Sequence, residues 1–336
     1  MRDPQTPAAT SARSAASAGD LRDLLDRLRA GVVGRVREIE LVIAAIHADR
    51  HILIEGPPGT GKSTLLRGVA REMNIGFEFV EGNAELTPAR LVGHFDPARV
   101  LSDGYDPDVF VAGPLVAALR DGSLLYIEEL NRVPEETLNV LIKVMSEREL
   151  NVPRLGRIEA ASGFRLVSAM NPFDAVGTAR ISSAVYDRVC RIAVDYQSVD
   201  DEAMIVRRET TTATPGQLND VDAAWRDGVV QLVRSTREHA DLRIGSSVRG
   251  AIDMVMVANS LAVLRDTTPH APSVSLDAAL VALSGRVRLR EGTSRTAEDV
   301  VRELWETVFR RSDGDGDGDD GEGKAGAPTT GATTSS

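Results

Sequence analysis

The chain has 336 residues, 42% of them hydrophobic, 26% charged and 4% aromatic, which is ordinary for a globular protein with two cores and excludes disorder throughout. Its formal net charge is −11, of which −5 lies beyond residue 311, so the remaining −6 gives no support to a nucleic-acid-binding face. No run approaches the roughly 18 apolar residues of a membrane span, the first thirty residues lack a signal-peptide core, and one cysteine builds neither an internal disulfide nor a metal cage, so a cytoplasmic protein is expected.

Residues 1–18, rich in Ala, Ser, Thr and Pro, read as a disordered segment. Leu21, Leu24, Leu25 and Leu28 then recur at helical spacing behind Asp20, and a second helix runs from Glu38 to Ala48. HILIE (51–55), GFEFVE (76–81), SLLYIEE (123–129), FRLVSAMN (164–171) and RVCRIAVDY (188–196) read as buried strands, with Cys190 packed in the core. The helical patterns between them imply parallel crossovers, and one of these helices places Leu138, Leu141, Ile142 and Met145 on a single face. After Tyr196 the alternation stops. A polar connection at 210–220 leads into helices expected at Val221 to His239, Ser247 to Leu264, Leu276 to Leu289 and Ala297 to Phe309. The organisation is therefore an α/β core at 19–197, a small all-helical domain at 198–311 and a disordered acidic Gly/Asp-rich tail at 312–336. The tail's DGDGDGDDGEGK begins like a calcium loop, but Lys324 stands where a bidentate Glu is required.

Gly56-Pro57-Pro58-Gly59-Thr60-Gly61-Lys62-Ser63, with Thr64 behind it, follows strand HILIE and opens a helix with Leu65, Leu66, Val69, Ala70 and Met73 along one side. That is the phosphate-loop pattern in the setting its chemistry needs. Glycines let backbone N–H groups turn toward a β-phosphate at the positive end of a helix, Lys62 neutralises β- and γ-phosphate oxygens, and Ser63 ligates Mg²⁺. SLLYIEE supplies the acidic pair such a site requires. Glu128, one methylene longer than the usual Asp, faces the Mg²⁺, and Glu129 is the candidate catalytic base. Asn171, at the end of FRLVSAMN and before Pro172, is delivered to the carboxyl edge of the sheet, where it helps position the attacking water.

In order along the chain, GPPGTGKS, LLYIEELNRVPEETLNVLIKVMSERE, VSAMNP and SSAVYDRVCRI resemble the MoxR family of AAA+ ATPases, near its CbbQ/NorQ branch and the magnesium chelatase ATPase subunit. The likeness covers residues 30–310. It implies a P-loop NTPase AAA+ core, a five-stranded parallel sheet between helices, followed by a helical lid. By the same resemblance Val33, Gly34 and Arg35 line the adenine pocket, and Asn171 is the sensor 1 residue. Arg188, after Asp187, is the arginine finger offered to the neighbouring subunit's γ-phosphate, with Arg180 and Arg191 as rivals. Arg249 is sensor 2. Segment 91–122 resembles the insert that interrupts helix 2, and 149–164 the β-hairpin before sensor 1. ATP and Mg²⁺ are the implied cofactors. The resemblance implies a homo-oligomeric ring, a hexamer, as the working form, with a separate von Willebrand factor A domain protein and a client protein complex as partners. The rival readings are a magnesium chelatase ATPase subunit that drives metal insertion and an ATP-dependent scaffold with little hydrolysis.

Overall fold

The apolar runs assemble into one parallel sheet in the computed structural model, which describes residues 18–172, 181–213 and 222–310. The expectations for residues 1–17 and for the tail beyond 311, and the rival finger Arg180, lie outside the described residues. Two compact units are present, one built on residues up to Thr212 together with Ser247–Arg249, the other on Ala213–Ser246 and residues from Gly250 onward. The division thus falls between Thr212 and Ala213, at the last residue of the helix at 199–213, whereas the loss of alternation in the sequence marks 197/198.

The first unit opens with helices α1 (Ala18–Gly31) and α2 (Val36–His47), strand β1 (His51–Glu55), α3 (Lys62–Glu72) and β2 (Phe77–Glu81). Next come α4 (Pro88–Val92), β3 (Gly93–Phe95), α5 (Pro97–Asp103), β4 (Phe110–Ala112) and α6 (Pro114–Asp121), which together occupy the segment 91–122 and its approach, and then β5 (Leu124–Glu128) and α7 (Glu135–Glu147). A hairpin of β6 (Glu149–Val152) and β7 (Gly156–Glu159) precedes β8 (Arg165–Met170), α8 (Ser183–Tyr186), β9 (Val189–Ala193) and α9 (Val199–Ala213). The five main strands lie in the order β2-β5-β8-β1-β9, all parallel.

Alternation along each strand sorts side chains onto two faces. Ile52, Ile54, Leu124, Tyr126, Val167 and Ala169 pack against α1, α2 and α3, whereas Leu53, Leu125, Ile127 and Leu166 pack against α6 and α7. Leu138, Leu141 and Met145 of α7 are buried and Ile142 is partly buried against the same cluster. Central strands covered on both sides become continuous apolar runs, as parallel sheets require. The edge strands differ from the sequence expectation. In β2 only Val80 is buried and in β9 only Ile192, and Cys190 is exposed rather than packed in the core, because an edge strand has neighbours on one side only.

Within segment 91–122, β3 and β4 pair antiparallel, and Phe95 stacks edge-on against both Tyr105 and Phe110, with centroids 5.1 and 5.2 Å apart. Arg154, at φ 68° in the turn between β6 and β7, lays its guanidinium 3.6 Å above the Tyr105 ring.

The second unit contains α10 (Ala223–Glu238), β10 (Leu242–Ile244), most of α11 (Val248–Leu264), α12 (Pro272–Leu283), β11 (Arg288–Leu289) and α13 (Ala297–Phe309). It is helical but not all-helical. The helix expected at Leu276 to Leu289 starts earlier, at Pro272, where a proline fits the first turn, and stops at Leu283. Arg288 and Leu289 pair instead with Ile244 and Leu242. Thr296 and Asp299 close a reciprocal capping box at the start of α13.

Both tryptophans of the chain, Trp225 on α10 and Trp305 on α13, donate their indole N–H to the buried Ser275 hydroxyl of α12, each at 3.0 Å. One oxygen thus serves three helices. Ser275→Ala strands two buried donors, and at about 1–3 kcal/mol for each unsatisfied group the unit should lose about 2–6 kcal/mol of stability. Denaturant unfolding followed by tryptophan fluorescence reads this directly, since both fluorophores report on this unit alone.

Candidate functional site

The carboxyl edge of the sheet gathers the motif residues. β1 ends at Glu55, and the chain turns through Gly56–Gly61 into α3. Three glycines are required for local reasons. Gly59 and Gly61 sit at φ 73° and 79°, and a Cβ on Gly56 would fall 2.2 Å from the Val194 carbonyl oxygen. A Cβ on Gly59 would also meet the Ser247 hydroxyl at 2.2 Å. Thr60 closes the loop internally by donating to the Pro57 carbonyl at 3.0 Å.

Lys62 folds back over the loop, its Nζ donating to the Gly56 and Pro57 carbonyls at 2.9 and 2.7 Å. Burial pushes the ammonium down to about 8; Glu128 acts against this, and Arg35 and Arg249 act with it. Arg35 is itself buried and clamps the loop from behind. It donates to the Thr60 carbonyl at 2.9 Å and to the Asp195 carbonyl at 2.6 Å, and pairs with Glu38 at 3.2 Å.

The Ser63 hydroxyl donates to Glu128 Oε1 at 2.8 Å and lies 3.1 Å from the Tyr126 hydroxyl. Burial pushes the Tyr126 phenol up, the Glu128 charge adding to it, so this group stays protonated. Successive strand residues face opposite ways, yet Glu128 and Glu129 both line one cavity of about 130 Å³ with Lys62, Ser63, Asn171 and Arg249. The reason is local. Glu129 adopts the left-handed conformation, φ 54° and ψ 48°, which breaks the alternation and turns its carboxylate to the same side. Its Oε2 pairs with Arg132 Nε at 3.0 Å, both side chains being 40% exposed. Asn131 Nδ2 donates to the Asn171 carbonyl at 3.3 Å, tying the end of β8 to the turn after β5.

The residues from Gly59 to Thr64, Pro58, Glu128, Glu129, Asn171 and Arg249 are therefore brought together, Ser247–Arg249 grouping with the sheet unit. Val33 and Gly34 do not line this cavity. They precede the Arg35 clamp, and Gly34, at φ 66°, lies against Asp201, where a Cβ would sit 2.4 Å from the carboxyl carbon. Arg188 stands apart as well. It precedes β9 and so belongs to the amino edge of the sheet, where a cavity of about 380 Å³ is lined by His51, Ser146, Arg148 and Cys190 among others. Its Nε donates to Ser146 Oγ at 2.6 Å and a terminal nitrogen donates to the Ala184 carbonyl at 2.8 Å. The rival Arg191 is engaged within the chain by the buried Glu55 carboxylate, which also accepts from the Tyr186 hydroxyl at 2.7 Å.

Sequence reasoning passed over Tyr126, Asn131 and the clamping role of Arg35. The available signals were a single phenol inside an aliphatic strand and a polar residue directly behind the acidic pair.

Residues 51–189 match the family described as AAA domain (dynein-related subfamily). An uncharacterized protein of Staphylococcus epidermidis is 32% identical over 169 residues, 50% of this chain, and the chain spans 64% of that relative's length. The gas vesicle ATPase GvpN1 of Halobacterium salinarum is 28% identical over 268 residues, covering 75% of this chain and 72% of that one. A mutant RuvB of Thermotoga maritima superposes with a TM-score of 0.51 at 18% identity, over 76% of this chain and 72% of that one. The fold is that of an AAA+ P-loop NTPase, a fold that binds nucleotide. No helix among the described residues is long and apolar enough to cross a membrane.

At the amino edge, His51 is buried, its Nδ1 accepting the Leu166 amide at 2.9 Å. Burial, with the Arg148 and Arg50 charges adding, pushes its pKa from 6.5 down to about 4. The folded state thus holds the neutral ring. The stability this contributes is fully present above pH 6.5 and is lost as pH falls through about 4, a change of about 3 kcal/mol. In urea unfolding of the sheet unit between pH 7 and 4, His51→Asn should show a shallower acid decline than the parent; parallel curves would refute the assignment.

Proposed function

We propose that this chain binds ATP with Mg²⁺ at the carboxyl edge of its sheet and hydrolyses it in a ring of copies, as an ATPase of the MoxR type that remodels or activates a client protein complex. The observation that carries the reading is the Ser63–Glu128 contact of 2.8 Å across the phosphate loop, with Glu129 turned into the same cavity. A relative whose printed name is gas vesicle ATPase, alike over 75% of this chain, supports hydrolysis.

The residues suit a magnesium nucleotide. A hydroxyl and a carboxylate are hard oxygen donors, and Mg²⁺ takes few protein ligands, keeping waters and phosphate oxygens for the rest. Ser63 and Glu128 would hold it, and the cation would neutralise charge on the β- and γ-phosphate oxygens. Lys62, cationic below about pH 8, exchanges its loop carbonyls for phosphate oxygens. Glu129 holds the attacking water and takes its proton, and Asn171 fixes that water from the neighbouring strand end. Arg249 faces the phosphates across the cavity, while Val33 and Gly34 serve the base. In this reading 19–197 is the ATPase core and 198–311 the lid.

Arg188 supports a shared site. A strand of five residues spans about 16 Å, so an arginine at the start of β9 cannot reach the phosphates bound at the end of β1 in its own chain. It serves a neighbouring copy, where its charge would stabilise the transition state. The insert with β3 and β4 and the hairpin of β6 and β7 are the surfaces for the client, and a separate von Willebrand factor A domain protein is the expected partner.

Steady-state ATP hydrolysis against protein concentration, with light scattering alongside, tests this reading. Glu129→Gln should lose about 10²-fold or more in turnover while still binding ATP, whereas Lys62→Ala should weaken binding itself. Arg188→Ala should be inactive alone yet partly rescued when mixed with Lys62→Ala, since each mixed interface can pair one intact loop with one intact finger. Activity that is linear in concentration and unchanged in Arg188→Ala would sink the shared site.

A further inference from the structure

The strand that delivers Glu128 also carries a phenol that the phosphate chemistry leaves without a task. Tyr126 is fully buried, and its ring lies beside Phe77 and Phe79 of the edge strand β2, with centroids 5.6 and 5.7 Å away. The register sets Phe79 directly opposite Tyr126. Arg67 of α3 in turn stacks on both phenylalanines, at 5.2 and 5.0 Å from their centroids. Aromatic packing thus fixes the ring, and with it the place of the hydroxyl.

That hydroxyl lies 3.1 Å from Ser63 Oγ. A serine hydroxyl has one hydrogen and two lone pairs. The hydrogen goes to Glu128, so Tyr126 must be the donor in the second contact. One lone pair of Ser63 is then taken and one is left. Without the phenol, the serine rotor would be held only by a glutamate with three rotatable side-chain bonds of its own, one more than the aspartate usual at that position.

We propose that Tyr126 is a positioning residue: its hydroxyl fixes the Ser63 rotor between a rigid donor and the Glu128 acceptor, leaving one serine lone pair for the divalent cation of a bound nucleotide. This rests on the reading of Ser63 and Glu128 as the Mg²⁺-holding pair. The phenol touches neither nucleotide nor cation. It acts through Ser63, and its effect should therefore appear only where the cation is present.

The test is binding of a fluorescent ATP analogue to the full chain in Mg²⁺ and in EDTA, for the parent and Tyr126→Phe, which keeps the ring and removes one oxygen. The affinity gained from Mg²⁺ should fall about fivefold in the variant, the size of one hydrogen bond, while affinity in EDTA stays the same. In a Ser63→Ala background, Tyr126→Phe should cost nothing further. An undiminished gain from Mg²⁺, an equal loss in EDTA, or a full loss persisting beside Ser63→Ala would each overturn the proposal. Failure of the parent to bind the analogue at all would instead overturn the functional reading beneath it.

Discussion

The parallel register of β1, β5 and β8 is the constraint on which the rest of the site depends. Glu55 stands opposite Met170 and Ile127 opposite Ser168, so the three strands end within one residue of each other and the loops that leave them share one small space. The Gly56 amide donates to Met170 at 3.2 Å and the Gly82 amide to Glu128 at 2.7 Å, extending the ladder by one rung past the strands. Because side chains alternate with a period of two, a slip of one residue in β5 would send Glu128 to the α7 face and bring Ile127 beneath Ser63. The aliphatic residues on both faces of these central strands exist to forbid that slip. The site is as exact as the core is.

The same register separates charge along the sheet. At the carboxyl edge, Lys62, Arg35 and Arg249 meet two carboxylates in a confined space, which keeps the lysine poorly solvated and easily discharged. At the amino edge, Arg148 and Arg188 surround a buried neutral histidine. Glu129 carries the cost of bringing two adjacent carboxylates to one side, since a non-glycine residue in the left-handed region is strained by about 1 kcal/mol.

Much of this was legible in the sequence because it is local. The phosphate loop, the acidic pair and Asn171 are each fixed by a strand end and a few residues around it. Glu128, Glu129, Asn171 and the loop from Pro58 to Thr64 line one cavity, whereas Val33, Gly34 and Arg188 lie outside it. The errors have one origin. Whether a strand is central or at the edge depends on partners far along the chain, so Cys190 and Phe79, read as buried, are exposed, and Val80 alone of β2 is fully buried. The end of α12 was misplaced because Arg288 and Leu289 answer to β10, more than forty residues earlier. Tyr126 was hidden for the opposite reason. An aromatic in a buried strand satisfies every packing rule, and nothing in its own sequence shows that its hydroxyl reaches a serine sixty-three positions away.

The stacked pair of Arg154 and Tyr105 joins two excursions that the chain builds separately. Phe95 passes that contact on to Phe110, which packs against the core beneath α6 and α7. An isolated loop absorbs a push by bending. Two loops joined by a ring and a guanidinium restrain one another, so the segment that carries the exposed Leu101 of α5 is tied to the turn of the hairpin that leads into β8. The clasp makes a bracket of what would otherwise be two free flaps.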